Sequence, residues 1–317
     1  MNCCNKGVYR QYRAHRVCTR LSKLQAPFNL IRYMKTSLEH LPPDKQLLVN
    51  DIVKTIVDKI EPEKIILFGS YATGKWQEHE YKEEGRWFDY RSDYDILVVT
   101  REGDRRSDYE VQDIVEYRSG LRNTVSVITH DIAYVNGKLS DGQYFFSDIQ
   151  KEGILLYDAG ITPLAERREL SAAEKKAIAQ KDFNKWFESA GEFLIDAGHA
   201  FARGSLNIAA FYLHQSAERT YNAVTLVFRG YKPKTHNLEK LYRYTKHYSV
   251  KLAGVFPRHT PREKDLFILL KKGYVEARYD DSYHVTPADI ELLLERVTQL
   301  RAVAEEICRQ KIASFGE

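Results

Sequence analysis

Apolar residues in the first half of the chain occur first at helical spacing and then in short continuous runs. Between Asp44 and Ile60 they recur every three or four positions, which predicts an amphipathic helix that ends before Pro62. A mixed stretch over about Ser107–Leu121 predicts a further helix. The short apolar runs predict buried strands at Ile65–Phe68, Ile96–Val99, Val125–Thr129 and Ile154–Tyr157. Strands that alternate with helices predict a sheet flanked by helices over about residues 38–160.

The pattern after Pro163 is helical throughout. One apolar stripe runs from Leu206 to Phe228 and another from Ile290 to Ile307, both in steps of three and four. Sequences that resemble helix-capping boxes mark helix starts at Ser171–Glu174, Thr260–Glu263 and Thr286–Asp289. We therefore expect residues 170–312 to form an antiparallel bundle of about five helices.

Composition places the chain among globular proteins. It has 317 residues, of which 43% are hydrophobic and 29% charged, and that length suggests two domains. No apolar run approaches the ~18 residues that span a bilayer, so we expect no membrane association. The formal charge is +4, but residues 1–33 hold seven lysines and arginines and no carboxylate, which leaves residues 34–317 at −3. The basic character therefore belongs to the N-terminal segment.

This basic segment has three interpretations: a targeting peptide, a nucleic-acid-binding arm, or a disordered extension upstream of the working protein. We favour the extension, with translation starting at Met34, where the composition changes. The segment also holds all the cysteines except Cys308. Such a distribution is not that of a disulfide scaffold and predicts a reducing, cytoplasmic location.

The candidate chemistry lies between the first two predicted strands. The first strand runs into Gly69-Ser70-Tyr71-Ala72-Thr73-Gly74-Lys75, and a glycine there lets backbone amides approach a phosphate. The second strand is preceded by Asp93-Tyr94-Asp95, so both carboxylates would share one face with Tyr94 opposite. Two like charges so close repel each other, and Mg²⁺ relieves that repulsion. The alternatives are a glycine turn that serves packing alone and a solvated strand end.

This arrangement resembles the nucleotidyltransferase fold of the DNA polymerase β superfamily over about residues 44–158. The resemblance implies that Gly69, Ser70, Gly74 and Lys75 bind nucleotide. It also implies that Asp93 and Asp95 are the catalytic residues and bind Mg²⁺, with a nucleoside triphosphate, expected to be ATP, as substrate.

Two features depart from the family pattern. Residues 75–92 are longer than the usual connection and hold cations and tryptophans that either contact a substrate or cover an edge: Lys75, Trp76, Arg86, Trp87 and Arg91. The third carboxylate that the family commonly has on a later strand is replaced by Ser126, between the apolar Val125 and Val127. Asp131 lies just beyond that strand and is a candidate substitute. Either the strand register differs, another group acts as base, or catalysis is weak or lost.

The second half resembles a HEPN domain, a helical bundle often paired with minimal nucleotidyltransferases. The matching segments are Phe211–Arg219, Thr235–Leu238 and Ala277–Tyr279. Gln215 and Glu218 share a helix face. The predicted groove of this half comprises Gln215, Glu218, His236, Arg278, Tyr279 and His284.

HEPN proteins fall into different functional classes, so the resemblance implies two possible functions for this half. Arg278 and His284 are separated by five residues, which fits the Arg/His motif of the HEPN ribonucleases, although Tyr279 is atypical for them. In the other class the bundle binds nucleotides or anions, and Arg278 would then contact phosphate.

The sequence thus predicts an α+β nucleotidyltransferase domain with a small mixed sheet, followed by an all-α antiparallel helical bundle. The expected segments are a basic disordered extension (1–37), the nucleotidyltransferase-like domain (38–162), a connecting segment (163–180) and the HEPN-like bundle (181–317).

The expected function is Mg²⁺-dependent transfer of a nucleoside monophosphate to an unknown acceptor, which is a protein, an RNA or a small molecule. The HEPN-like bundle would contribute nucleotide or substrate binding and a homodimer interface. The alternatives are a non-catalytic nucleotide sensor and a fused toxin–antitoxin protein with a ribonuclease half. An antibiotic-modifying adenylyltransferase is a variant of the first hypothesis.

Overall fold

A four-stranded sheet organises the first half of the chain in the computed structural model, which describes residues 34–76, 78–83, 86–119 and 125–316. The strands of the described chain are β1 (Lys64–Phe68), β2 (Glu78–Glu83), β3 (Arg86–Arg91), β4 (Tyr94–Thr100), β5 (Val125–Asp131) and β6 (Ile154–Asp158). In the larger sheet the order is β5-β4-β1-β6, and β4 pairs with β5 in parallel while the other pairs are antiparallel. The mixed sheet and the positions of its strands confirm the sequence prediction.

The strands β2 and β3 form a separate antiparallel hairpin, which the sequence did not predict. It occupies most of the long connection over residues 75–92. The side chains of Arg86, Trp87 and Arg91 lie outside the described residues, as does the basic segment 1–33.

Helices cover both faces of the larger sheet. They are α1 (Pro43–Ile60), α2 (Gly69–Thr73), α3 (Asp108–Ser119), α4 (Ile132–Ser140) and α5 (Tyr144–Glu152). Because successive strand residues point to opposite faces, Ile65 and Leu67 pack with α1 and α3 while Ile66 and Phe68 pack with α4 and α5. Both faces are therefore buried, and the ends of the strands are left for chemistry.

The outer edge of β5 is closed by side chains of α3. The Gln112 side chain donates to the Val125 carbonyl at 2.8 Å and accepts from the Val127 amide at 3.3 Å. Asp108 accepts from the Thr129 amide at 2.7 Å. These side-chain bonds satisfy backbone groups of β5 on the edge that faces away from β4.

The second half is helical, as predicted. Its helices are α6 (Ala172–Ala202), α7 (Leu206–Arg229), α8 (Leu238–Thr245), α9 (Val250–Gly254), α10 (Pro261–Lys272), α11 (Glu276–Tyr279) and α12 (Pro287–Ser314). All three expected capping boxes are present, at the starts of α6, α10 and α12. The helix α7 is buried on nearly every side between α6, α12 and the shorter helices, so it forms the centre of this core. Among the described residues, no helix is long and apolar enough to cross a membrane.

The two halves meet where the start of α5 contacts the end of α7. The Tyr144 hydroxyl donates to the carbonyls of Leu226 and Val227, and the Gln143 side chain donates to the Gly230 carbonyl at 2.8 Å. Gly230 ends α7 with φ +66°, and a Cβ atom there would collide with the Tyr144 ring. We call Gln143, Tyr144 and Gly230 the α5–α7 clamp, since together they fix the end of α7 against the sheet domain.

We expect Tyr144→Phe to lower the free energy of unfolding by about 1 kcal/mol, because buried carbonyls at the end of α7 lose a hydrogen-bond donor. The matched control is Tyr117→Phe, whose ring is 86% exposed and which should leave stability unchanged. Urea denaturation of the three proteins measures the difference. Equal midpoints for both variants would show that the clamp does not stabilise the fold.

Candidate functional site

The phosphate-loop candidate lies at the junction of β1 and α2. Gly69 begins α2 with φ +73°, and a Cβ atom at this position would overlap the Asp95 carboxylate. Only glycine therefore allows the loop to approach the carboxylate so closely. Ser70 follows it and is half-buried, whereas Gly74 ends α2 in a left-handed conformation with its amide bonded to the Ser70 carbonyl. The need for a left-handed residue at the end of α2 is therefore enough to explain a glycine at position 74. Nucleotide binding by Gly74 stays a prediction.

The two aspartates lie at the start of β4, beside this loop. In the sheet, Asp95 is opposite Phe68 on one side and Ser126 on the other. The intervening Tyr94 is buried on the opposite face, where its ring stacks on Tyr71 with 3.9 Å between centroids. The alternation inferred from the sequence is therefore observed, and Asp93 and Asp95 lie on one side of the strand.

Ser126 occupies the position where the family pattern has its third carboxylate. The parallel register pairs it with Asp95, and Val125 and Val127 are buried in the core as predicted. Its hydroxyl lies 3.2 Å from the Tyr244 hydroxyl of α8 and also hydrogen-bonds Asp95. Asp131 is not a substitute, because its carboxylate caps α4 by accepting from the Tyr134 amide at 2.8 Å. The register was read correctly, and no carboxylate replaces the serine on this strand.

The helical half forms the other wall of the site. A cavity of about 370 Å³, here called the central chamber, separates the two walls. From the sheet domain it is lined by Gly69, Ser70, Thr73, Lys75, Ser92, Asp93 and Asp95, and from the helical half by Arg229, Arg243, Tyr244, Lys246 and His247. The predicted loop and carboxylates are thus brought together, and cations that the sequence analysis missed lie opposite them.

Arg229 is the last residue of α7, and its direction is set by two contacts. Its Nε donates to the Tyr248 hydroxyl at 2.7 Å, and the guanidinium lies 5.8 Å from the centre of the Tyr244 ring. The α5–α7 clamp holds the adjacent residue, Gly230. The only sequence signal for Arg229 was a cation in the last turn before a glycine, which is common at helix ends for reasons unrelated to function.

Electrostatics in the central chamber is governed by burial. Burial raises the pKa of Asp95 to about 6, with Arg229 opposing the rise, Asp93 adding to it and the Ser126 hydrogen bond opposing it. Burial also raises the pKa of Asp93, against Arg243 and Lys246. Burial lowers the pKa of His247 to about 4, so this imidazole is neutral near pH 7. The carboxylates are therefore short of compensating positive charge.

This shortage fits a divalent cation. Mg²⁺ prefers carboxylate oxygens and usually retains phosphate and water ligands. Among the described residues, no cluster of three or more His, Cys, Asp or Glu side chains could hold a metal. A Mg²⁺ ion between Asp93 and Asp95 would accordingly depend on a polyphosphate to complete its coordination.

Part of the predicted groove of the helical half is a compact cluster. Nδ1 of His236 lies 3.0 Å from both carboxylate oxygens of the buried Glu218. The imidazoles of His236 and His214 both stack on Tyr274, and Arg278 donates through Nε to the Tyr274 carbonyl at 2.6 Å. Gln215 joins the edge of this cluster, 3.4 Å from His214. Tyr274 and His214 are the members that the sequence analysis did not include in the groove.

His284 lies on a different surface from His236. Together with Arg278 it lines a cavity of about 540 Å³, beside Asp280 and Asp281. Tyr279 is 76% exposed, with its ring 4.9 Å from the Arg278 guanidinium. Thr286 caps α12, as expected. The predicted groove is thus divided, with Arg278 between the Glu218–His236 cluster and the His284 cavity.

Comparison with known families gives two matches in the order that the fold suggests. Residues 50–160 match the family described as Polymerase beta, Nucleotidyltransferase, and residues 183–307 match the HEPN domain. No curated protein matches the chain. The first match contains the loop and both aspartates, and the second contains Arg229, Tyr244 and the Glu218–His236 cluster.

The Asp95 carboxylate gives a pH dependence of stability that can be measured without metal. Its pKa is raised from 3.8 to about 6, so the folded protein binds more protons than the unfolded chain between these values. The contribution of this group to stability is complete below about pH 4 and is lost as the pH rises through 6. The free energy of unfolding of Asp95→Asn should therefore be higher than that of the wild type by roughly 1 kcal/mol at about pH 7.5, after allowance for solvent screening. Near pH 4 the two proteins should have the same free energy of unfolding.

Urea denaturation in a chelator at several pH values measures this difference. Asp51→Asn, on the exposed face of α1, is the control and should follow the wild-type curve. A constant offset between Asp95→Asn and the wild type at all pH values would contradict the assignment of a desolvated carboxylate.

Proposed function

Because the chain joins a Polymerase beta-type nucleotidyltransferase domain to a HEPN domain, we propose that it transfers a nucleoside monophosphate from a Mg²⁺-bound nucleoside triphosphate to an acceptor. The observation that carries the proposal is the central chamber. In it, two desolvated carboxylates and a glycine-serine loop on one domain face three cations on the other. Such a chamber suits a ligand that is anionic and accompanied by a metal.

The nucleotidyltransferase domain supplies the metal and phosphate contacts. Asp93 and Asp95 would hold Mg²⁺, which when bound neutralises charge on the phosphates during the displacement. The Ser70 hydroxyl and the Lys75 ammonium line the same chamber and would bind the phosphates that leave as pyrophosphate. Gly69 serves the site by leaving room between the loop and Asp95.

The HEPN domain would complete the site from the opposite wall. Arg229 is held by Tyr248 at a position where it interacts electrostatically with Asp95, so its guanidinium is available to a phosphate that bridges the two. Arg243 and Lys246 interact in the same way with Asp93. We therefore propose that the HEPN domain contributes to nucleotide binding through the end of α7 and the end of α8 with the residue that follows it, rather than through the Glu218–His236 cluster.

The acceptor would enter on the opposite side of Asp95 from the phosphate loop. An in-line displacement puts the attacking oxygen and the leaving pyrophosphate on opposite sides of the phosphorus. On the β5 side lies a cavity of about 150 Å³, here called the acceptor chamber. Asp113 and Glu116 of α3 line it together with Ser126, and we propose that one of these two carboxylates takes a proton from an attacking hydroxyl.

A non-catalytic nucleotide sensor is the second candidate. A serine, Ser126, stands at the position where the family commonly has a carboxylate as metal ligand or base, and its hydroxyl is hydrogen-bonded to that of Tyr244. A sensor would bind the Mg²⁺-nucleotide but release no pyrophosphate with any acceptor. Pyrophosphate release that Asp95→Ala abolishes would exclude it.

A ribonuclease activity of the HEPN half, as in a fused toxin–antitoxin protein, is favoured by one observation only. Arg278 and His284 line the same cavity. In this case RNA cleavage should be lost in His284→Ala and unaffected by Asp93→Asn. We also propose a homodimer that forms through the helical bundle and a cytoplasmic location.

The proposed site predicts how binding of a Mg²⁺-bound, non-hydrolysable nucleoside triphosphate responds to substitution. Asp93→Asn/Asp95→Asn should abolish detectable binding, since the metal loses both protein ligands. Arg229→Met should weaken binding about tenfold, because a charge-assisted phosphate contact is lost. Arg105→Met, at an exposed position in the loop after β4, is the matched control and should bind like the wild type.

Isothermal titration calorimetry on proteins with unchanged melting temperature makes the comparison. Wild-type affinity in the double aspartate variant would refute the site. Wild-type affinity in Arg229→Met would refute the contribution of the HEPN domain.

A further inference from the structure

Tyr244 of α8 lies between the central chamber and the acceptor chamber and lines both of them. Its ring and its hydroxyl have different neighbours. The Arg229 guanidinium is 5.8 Å from the centre of the ring, whereas the Ser126 hydroxyl is 3.2 Å from the Tyr244 hydroxyl. A phenylalanine ring would pack in the same place, so the contact made by the hydroxyl needs an explanation of its own.

The direction of the hydrogen bonds follows from the protons that are available. Ser126 has one hydroxyl proton, and an ionised Asp95 carboxylate can only accept. Ser126 therefore donates to Asp95, and its oxygen is left to accept from the Tyr244 hydroxyl. Burial raises the pKa of Tyr244 to about 12, so this hydroxyl keeps its proton near pH 7. The three side chains thus form a chain of donors that runs from the helical half to the carboxylate.

The backbone fixes Ser126 only in part. In the parallel register of β4 and β5, Ser126 is the partner of Asp95, and its neighbours Val125 and Val127 are buried in the core. These contacts hold the strand in place, but a serine hydroxyl still rotates about its Cβ–Oγ bond. A donor at the serine oxygen favours the rotamer in which the serine proton points to Asp95. Tyr244 is that donor.

The orientation of Asp95 matters because a metal ligand must direct a particular oxygen at the ion. Groups that hydrogen-bond to a ligating carboxylate hold it in place, and their removal typically lowers metal affinity by about 10- to 100-fold. A serine is a poor substitute for a carboxylate as a ligand of Mg²⁺. It is well suited to supply an orienting hydrogen bond, provided that its own proton is directed.

We infer that Tyr244 is a positioning residue of the proposed metal site. Its hydroxyl orients Ser126, Ser126 orients Asp95, and the helical half thereby strengthens the binding of Mg²⁺ by the sheet domain. This inference rests on the proposed function, because it requires a metal ion at Asp93 and Asp95. It adds a role for the serine at the third-carboxylate position, and it gives the HEPN domain a route to the site that is separate from its cations.

The test measures binding of Mg²⁺-bound α,β-methylene ATP to the full chain by isothermal titration calorimetry. Tyr244→Phe removes the hydroxyl and keeps the ring beside Arg229. It should weaken binding about fivefold, and Ser126→Ala should weaken it about tenfold. The double variant Tyr244→Phe/Ser126→Ala should bind like Ser126→Ala alone, because the tyrosine hydroxyl has lost the group through which it acts.

Two further variants separate this role from a merely structural one. Tyr242→Phe removes another hydroxyl from α8, one that lies 3.4 Å from the Ala253 carbonyl, and should bind like the wild type. Tyr244→Phe/Arg229→Met should weaken binding by about the product of the two single effects, since the ring beside the guanidinium is retained. Melting temperatures recorded on the same samples show whether any variant has lost stability.

The outcomes separate the inference from the proposed function. Wild-type affinity in Tyr244→Phe overturns the inference and leaves the nucleotidyltransferase site standing. Losses that multiply in the Ser126→Ala double variant but not in the Arg229→Met double variant also overturn it, because the hydroxyl would then act through Arg229. Failure of the analogue to bind the wild-type chain, or binding that does not depend on Asp93 and Asp95, overturns both.

Discussion

Two carboxylates held partly away from water at the start of β4 are the constraint on which the rest of the site depends. Burial raises the pKa of both Asp93 and Asp95, and the charge of Asp93 raises the pKa of Asp95 further. A protein retains such a pair only where cations compensate it. Here the compensation comes from outside the sheet domain, from Arg229 and from Arg243 and Lys246, and a bound Mg²⁺ would complete it.

These cations belong to the helical half, so the contact between the two halves determines where they lie relative to the carboxylates. The α5–α7 clamp bonds the last carbonyls of α7 to Gln143 and Tyr144, and Gly230 has no side chain to prevent that contact. The clamp in turn sets the position of Arg229 at the mouth of the central chamber. A glycine on each side of the site, Gly69 and Gly230, thus permits the close approach of loop to carboxylate and of domain to domain.

Local features of the site were predictable from the sequence, and features made by packing between domains were not. The loop after β1, the shared face of Asp93 and Asp95, the serine beside Asp95 and the capping boxes each depend on a few consecutive residues. Arg229 and Tyr244 carry no local signal, because their role follows from how α7 and α8 dock on another domain.

The hairpin β2–β3 was missed for the opposite reason, because its sequence lacks the strong alternation of polar and apolar residues that predicts a strand. In the helical half, spacing on one helix grouped Gln215 with Glu218 but could not place His284 on a separate surface.

The central claim is that one nucleotide is held jointly by both domains, and a crystal structure with Mg²⁺ and a non-hydrolysable nucleoside triphosphate tests it most directly. The account predicts metal density between Asp93 and Asp95, with the triphosphate contacting Ser70 on one wall and Arg229 on the other. A nucleotide bound instead beside Glu218, His236 and Arg278, or phosphates that contact no residue of α7, would contradict it.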